Sequence, residues 1–162
     1  MLYSTFVIEN QLYALELGYV QEYAEVLPYT CLPKPHGSTV GIANLRGQIV
    51  SVLDLKHRLL DKFSKHPQPQ YVVVRGADSI PSVKIDFDKE QTSKEPVALK
   101  VDDRGGVLEI KKDALKPSSG HGDSRYKEYV KSMVELDDKI LLVLNVTRIL
   151  GCQNPTEAEA EA

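Results

Sequence analysis

Only two cysteines occur in the 162 residues, Cys31 and Cys152, one in each half and without metal-type spacing. Two isolated thiols exclude a disulfide framework and point to a reducing compartment. No apolar run approaches the ~18 residues of a membrane-crossing helix, and the N-terminus lacks the charged-then-apolar pattern of a signal peptide. A cytoplasmic protein with no direct membrane insertion is expected. The formal net charge is −3, and no basic face with interleaved aromatics is visible, so nucleic acid is not an expected partner. His36, His57, His66 and His121 form no His-x-x-x-His pair and have no cysteine beside them, so no metal is expected. A glycine-rich phosphate loop, a nucleophile elbow and a dinucleotide fingerprint are all missing. No catalytic residue and no cofactor is therefore assigned, and the chain does not read as an enzyme.

What is present is a duplicated pattern. The segment from Gly41 to Leu55 holds two apolar runs around an Arg46-Gly47 turn. In the second run Ile49, Ser51 and Leu53 point one way and Val50 and Val52 the other, the period of a strand. Glycine at the turn supplies the positive φ of a tight hairpin. Shifting the chain by 91 residues sets Leu45 on Leu136, Ile49 on Ile140, Val52 on Val143, Leu53 on Leu144 and Asp54 on Asn145. Asp and Asn are strong helix N-caps, and each precedes a short apolar-spaced run, 55–60 or 146–150. Upstream, at an offset of 81, Val26-Leu27 matches Val107-Leu108, each leading to a proline segment, Leu32-Pro33-Lys34-Pro35 or Leu115-Lys116-Pro117. The pattern predicts an internal duplication of strand, turn, strand and capped helical turn.

Along the chain, 3–8 and 12–17 read as a hairpin joined at Glu9-Asn10-Gln11, and 20–27 is extended. Pro28, Pro33, Pro35 and Gly37 predict a loop. A break at 64–70 precedes a strand over 71–75. Val83, Ile85 and Phe87 alternate with charged residues in a further strand, and 89–95 reads as a polar loop. Strands are predicted over 96–101 and 107–110 around a turn at 102–106. A Gly/Ser-rich loop at 118–124 leads into a short helix over 125–129. Residues 153–162 form an acidic Ala/Glu tail with nothing to bury and read as disordered. Many short strands without a long amphipathic helix give an all-β barrel or sandwich. At this length a folded chain buries roughly 70% of its unfolded surface, sufficient for a core without disulfides.

Three features have the residue types of chemistry. Asp54 ends an apolar strand, as a phospho-acceptor does in an α/β signalling domain, but such a domain needs long helices that are missing here. The helix-cap reading explains Asp54 and Asn145 together. Asp102-Asp103 and Asp137-Asp138 are potential cation ligands or carboxylate pairs, but both read as turns in which Asp bonds its own backbone. Arg46 is different, because the second copy builds its turn with Asp137-Asp138 and no arginine. It reads either as a solvated surface residue or as an interface anchor, since arginine pairs bidentately with carboxylates and is enriched at binding hot spots.

From about Tyr3 to Leu150 the chain resembles the CheW family of chemotaxis coupling proteins. Asn44-Leu45-Arg46-Gly47-Gln48-Ile49-Val50-Ser51-Val52-Leu53-Asp54-Leu55 is similar to the family's NLRG-x-I-V-P-V-V-D-L signature, with Ser51 in place of the usual proline. Val20-Gln21-Glu22 matches the family's VQE strand, 97–110 resembles its VGLVVD…VLEI segment, and 139–150 its closing unit. Two departures are the long 79–95 segment and Ser132, where the family has glycine. The resemblance implies two intertwined five-stranded SH3-like β-barrels with few short helices over residues 1–152. It implies a non-catalytic adaptor coupling the cytoplasmic tip of a chemoreceptor to the regulatory domain of a CheA-type histidine kinase. The alternative is a module of the same fold in another kinase pathway, such as surface motility. Kinase-contact positions carry over to Val20, Glu22, Gly41 and Arg46, with Asn44, Leu45 and Gly47 completing the turn. Val20 is expected in an exposed apolar patch rimmed by Glu22 and Arg46, and the receptor helix in the groove between the barrels.

Overall fold

The computed structural model describes residues 1–76, 95–117 and 128–151. The expected strand at Val83–Phe87, the polar loop after it, most of the 118–129 segment, His121, Cys152 and the acidic tail lie outside these residues. The chain runs β1 (Leu2–Ile8), β2 (Gln11–Glu16), a single 3-10 turn (Leu17–Tyr19), β3 (Val20–Ala24), β4 (Tyr29–His36), β5 (Thr39–Leu45), β6 (Gln48–Asp54) and α1 (Leu55–Leu60). It continues through β7 (Gln70–Val74), β8 (Val97–Val101), β9 (Asp103–Glu109), β10 (Lys116–Pro117), β11 (Val130–Glu135), β12 (Ile140–Leu144) and α2 (Val146–Gly151). The fold is all-β, with two sheets and only short helices, as expected.

One sheet has the order β3-β7-β8-β6-β5-β4 and the other β9-β1-β2-β12-β11-β10. The two orders correspond strand for strand. In each, a hairpin (β7–β8 or β1–β2) pairs in parallel with the second strand of another hairpin, β6 with β8 and β12 with β2. The remaining neighbours are antiparallel. The two sheets thus share one strand arrangement. They also share single bonds: the Asp54 amide donates to the Ser38 carbonyl (2.8 Å), and 91 residues on the Asn145 amide donates to the Tyr129 carbonyl (2.7 Å).

Among the described residues each sheet has six strands where the resemblance implies five. The edge strands β4 and β10 both contain proline. The loop expected at Pro33 and Pro35 is therefore corrected to a strand. An edge strand tolerates proline because its outward side needs no N–H donor, and β4 pairs with β5 only at Tyr29–Cys31 and His36. Cys31 on this edge is an exposed free thiol. The turn expected at 102–106 is likewise mostly strand. Asp102 N donates to Val7 O (3.1 Å), Asp102 Oδ2 accepts from Glu9 N (2.9 Å), and β9 then pairs along β1. Gly105 permits this approach, since a Cβ there would sit 2.2 Å from Thr5 Oγ1.

Three apolar clusters hold the molecule. Leu27, Ala43, Val50, Val52, Tyr71, Val73 and Ala98 fill the first unit, and Tyr3, Ala14, Ile110, Val134, Leu141 and Val143 fill the second. The third and largest lies between the units, taking Phe6, Tyr13 and Leu15 from one sheet, Leu53, Val72 and Leu99 from the other, and Leu55, Leu59, Ile149 and Leu150 from the helices. The central strands are buried on both faces, which is why 71–74 reads as an unbroken apolar run.

Both helices start on the expected caps. Asp54, 1% exposed, accepts from His57 N (3.3 Å) through Oδ1 and from Ser64 N (2.7 Å) through Oδ2. Asn145 Oδ1 accepts from Arg148 N (3.2 Å). Burial and engagement of both oxygens leave Asp54 no phospho-acceptor role. Because Asp54 also ties down the chain after α1, Asp54→Ala is expected to lower stability by about 2 kcal/mol or more in urea unfolding, and Asn145→Ala by about 1 kcal/mol. Equal losses would mean that the Ser64 bond adds nothing.

Candidate interaction site

The β5–β6 hairpin is built around its tip. Leu45 pairs with Gln48, and the two residues between them, Arg46 (φ 54°) and Gly47 (φ 84°), both take positive φ. That is the hairpin turn whose twist matches the flanking strands. Asn44 Oδ1 accepts a hydrogen bond from Gly47 N (2.8 Å) and closes the turn. Leu45 packs against the first unit's core. Three members of the signature thus build the turn, while the Arg46 side chain points out of it.

Arg46 is held at one point: Nη1 donates to Glu22 Oε2 at 2.8 Å, with side-chain exposures of 76% for Arg46 and 18% for Glu22. Glu22 Oε2 also accepts from Gln21 Nε2 (3.4 Å). Glu22 lies on the edge strand β3, whereas the tip belongs to strands near the opposite edge of the same sheet. The pair forms only because the sheet curls, so the contact joins two ends of the first unit.

Val20 lies elsewhere. It is 6% exposed and belongs to the shared core, which corrects the expectation of an exposed patch containing it. The cause is a bulge: Val20 pairs with Val74 but Glu22 pairs with Val73, the register shifting between them. Residues paired across strands share a face, and Val74 faces the shared core while Val73 faces the first unit's own core. The extra residue therefore reverses the alternation and sends Val20 and Glu22 to opposite faces. The apolar exposure of this hairpin comes instead from Ile42 (43%) and Ile49 (60%), on the outer face opposite the buried Ala43 and Val50. Sequence reasoning missed both, although Ile49 stood in the motif at the position of the exposed Ile140 in the second copy.

Gly41 sits under Tyr29. A Cβ there would lie 2.2 Å from Tyr29 Cδ2 and 2.7 Å from the Thr30 carbonyl oxygen. The Tyr29 ring stands edge-on to Tyr71, centroids 6.4 Å apart, and its hydroxyl accepts from Lys100 Nζ (3.1 Å). Burial works against the Lys100 ammonium, but the Tyr29 hydrogen bond and nearby negative groups leave its pKa raised. Burial also raises the Tyr23 pKa, with the Arg104 guanidinium over its ring working the other way. Gly41→Ala is expected to cost about 1–3 kcal/mol in stability through overpacking against Tyr29, read by denaturant unfolding. A neutral result would mean that the ring moves aside freely.

In outcome, the hairpin brings Gly41, Asn44, Leu45, Arg46 and Gly47 together and adds Glu22 through the ion pair, leaving Val20 in the core. The family model described as CheW-like domain matches residues 3–153. The chain is 21% identical over 155 residues to the probable chemotaxis protein CheW of Rhizobium etli, covering 96% of this chain and 88% of the relative. It is 24% identical over 146 residues to the chemotaxis protein CheW of Thermotoga maritima, covering 90% and 85%. Its fold is similar to the crystal structure of scaffolding protein TtCheW from Thermoanaerobacter tengcongensis, with a TM-score of 0.68 at 23% identity over 88% of this chain and 87% of that one. A match running almost end to end, on a fold of the same shape, shows that this chain belongs to the CheW-like domain family.

Proposed function

We propose that this protein is a non-catalytic adaptor of chemotaxis signalling, which couples the cytoplasmic tip of a chemoreceptor to the regulatory domain of a CheA-type histidine kinase. The observation that carries the kinase half is Arg46. Its backbone takes a conformation that costs a non-glycine residue free energy, its side chain is mostly exposed, and the equivalent turn of the second copy uses Asp137-Asp138. Since the second copy builds its turn without an arginine, the exposed Arg46 side chain is available to a partner. Ile42 and Ile49, exposed on the outer face of the same hairpin, add apolar area that a partner can cover.

Scaffolding is the mechanism. An adaptor that holds two partners raises their effective concentration and biases their conformations without chemistry of its own. The receptor half rests on the family resemblance, with an apolar receptor helix lying in the groove between the units. No helix among the described residues is long and apolar enough to cross a membrane, which fits an adaptor working in the cytoplasm beneath its receptor.

Calorimetric titration against the kinase regulatory domain of the same organism tests this reading. Micromolar or tighter binding is expected, and Arg46→Glu is expected to weaken it by about 2 kcal/mol, roughly thirtyfold, as at a hot-spot arginine. Unchanged affinity in a folded Arg46→Glu protein would remove Arg46 from the interface, and no binding by the wild type would remove the kinase as partner.

A further inference from the structure

Resemblance carries four kinase-contact positions to this chain, yet the geometry leaves only one of their side chains free to touch a partner. Val20 is in the shared core. Gly41 has no side chain and lies beneath the Tyr29 ring. Glu22 is mostly covered, and its Oε2 is engaged by Arg46 Nη1 and approached by Gln21 Nε2. Arg46 alone projects, with one guanidinium nitrogen bonded to Glu22 and the remaining donors of its planar fork unused by any described residue.

We infer that Glu22 is a positioning residue: it does not bind the kinase itself but holds the Arg46 guanidinium in the orientation that receives a carboxylate of the partner. This rests on the adaptor reading above and deepens it.

Three observations combine. The β3 bulge turns Glu22 away from the core face that Val20 occupies and toward the hairpin tip. The tip is fixed from below by Asn44 and by the positive φ of Arg46 and Gly47. The 2.8 Å ion pair then fixes the far end of an otherwise flexible side chain. An exposed ion pair contributes little to stability, so its worth lies in binding. A long side chain loses rotamer freedom when it docks, and a side chain already ordered in the free protein loses less. The partner's carboxylate takes the unused edge of the fork, where two parallel N–H donors match it.

The test is a double-mutant cycle read by titration of the kinase regulatory domain, with thermal unfolding of each variant as a control for folding. Glu22→Ala is expected to weaken binding about three- to tenfold, the size of one lost side-chain preorganisation. Glu22→Gln should retain most of the affinity, because its amide oxygen still accepts from Arg46 Nη1. Arg46→Ala should weaken binding further, and adding Glu22→Ala to it should change nothing more, since a residue acting through Arg46 is silent without it. If Glu22→Ala and Glu22→Gln lose affinity equally, and each adds in full to Arg46→Ala, Glu22 touches the kinase directly and the inference is overturned while the adaptor reading stands. If the wild type does not bind, the adaptor reading falls and takes the inference with it.

Discussion

Both halves of this molecule depend on one apolar seam. The repeat in the sequence is a hairpin, four strands and a short helix, written twice. The hairpin of each copy nevertheless completes the sheet of the other: β1–β2 joins β9 to β12, and β7–β8 joins β3 to β6. Both exchanges close through a parallel pair at the centre of a sheet. These central strands are sealed on one side by their own unit's core and on the other by the seam, into which both helices press their apolar faces. Burial of this kind is the dominant stabilising term in folding, and most of it here is shared. A unit separated from its neighbour would expose that surface and lose a hairpin from its sheet.

With stability concentrated in the seam, the hairpin tips at the far ends of the sheets are released from folding duty. The two copies show it. A two-residue turn is made by Arg46-Gly47 in one and by Asp137-Asp138 in the other, but the turns differ in type, since positive φ is seen only in the first. The caps behave oppositely: Asp54 and Asn145 keep the same capping bond to the amide three residues on and the same backbone bond of their own amide, because each starts a helix that plugs the seam. In the proposed role, divergence at the tips and constancy at the caps separate interaction from architecture within a single sequence.

That separation also explains what could be read in advance. The caps, the Arg46 hairpin and the β1–β2 turn were legible because each is set by residues within a few positions of one another. The strands β4 and β9 were not, since proline and glycine argue locally against strands that a neighbouring strand nevertheless imposes. The exchange of hairpins leaves no mark on any short window. At the site, Arg46 was visible as an arginine the fold does not need, but the side to which Glu22 points was not. Alternation places residues two apart on one face, and the bulge in β3 breaks that rule. Gly41 was legible as a motif member and illegible as a necessity, because the Tyr29 ring that forbids a side chain there comes from another strand.

The same geometry limits how an adaptor of this kind can work. Strand β6 begins at the tip turn with Gln48 and the exposed Ile49, and ends at Leu53 and Asp54, one in the seam core and the other capping α1. A partner seated on the tip therefore presses on a strand whose far end is packed between both units. The units share a core and complete each other's sheets, and close-packed interiors deform little before they rearrange. The tip and the seam between the units thus keep a fixed mutual geometry. In the proposed role this favours a scaffold that sets the spacing of its partners over one that bends between them, and it makes preorganisation of the tip, down to the rotamer of a single arginine, the economical route to affinity.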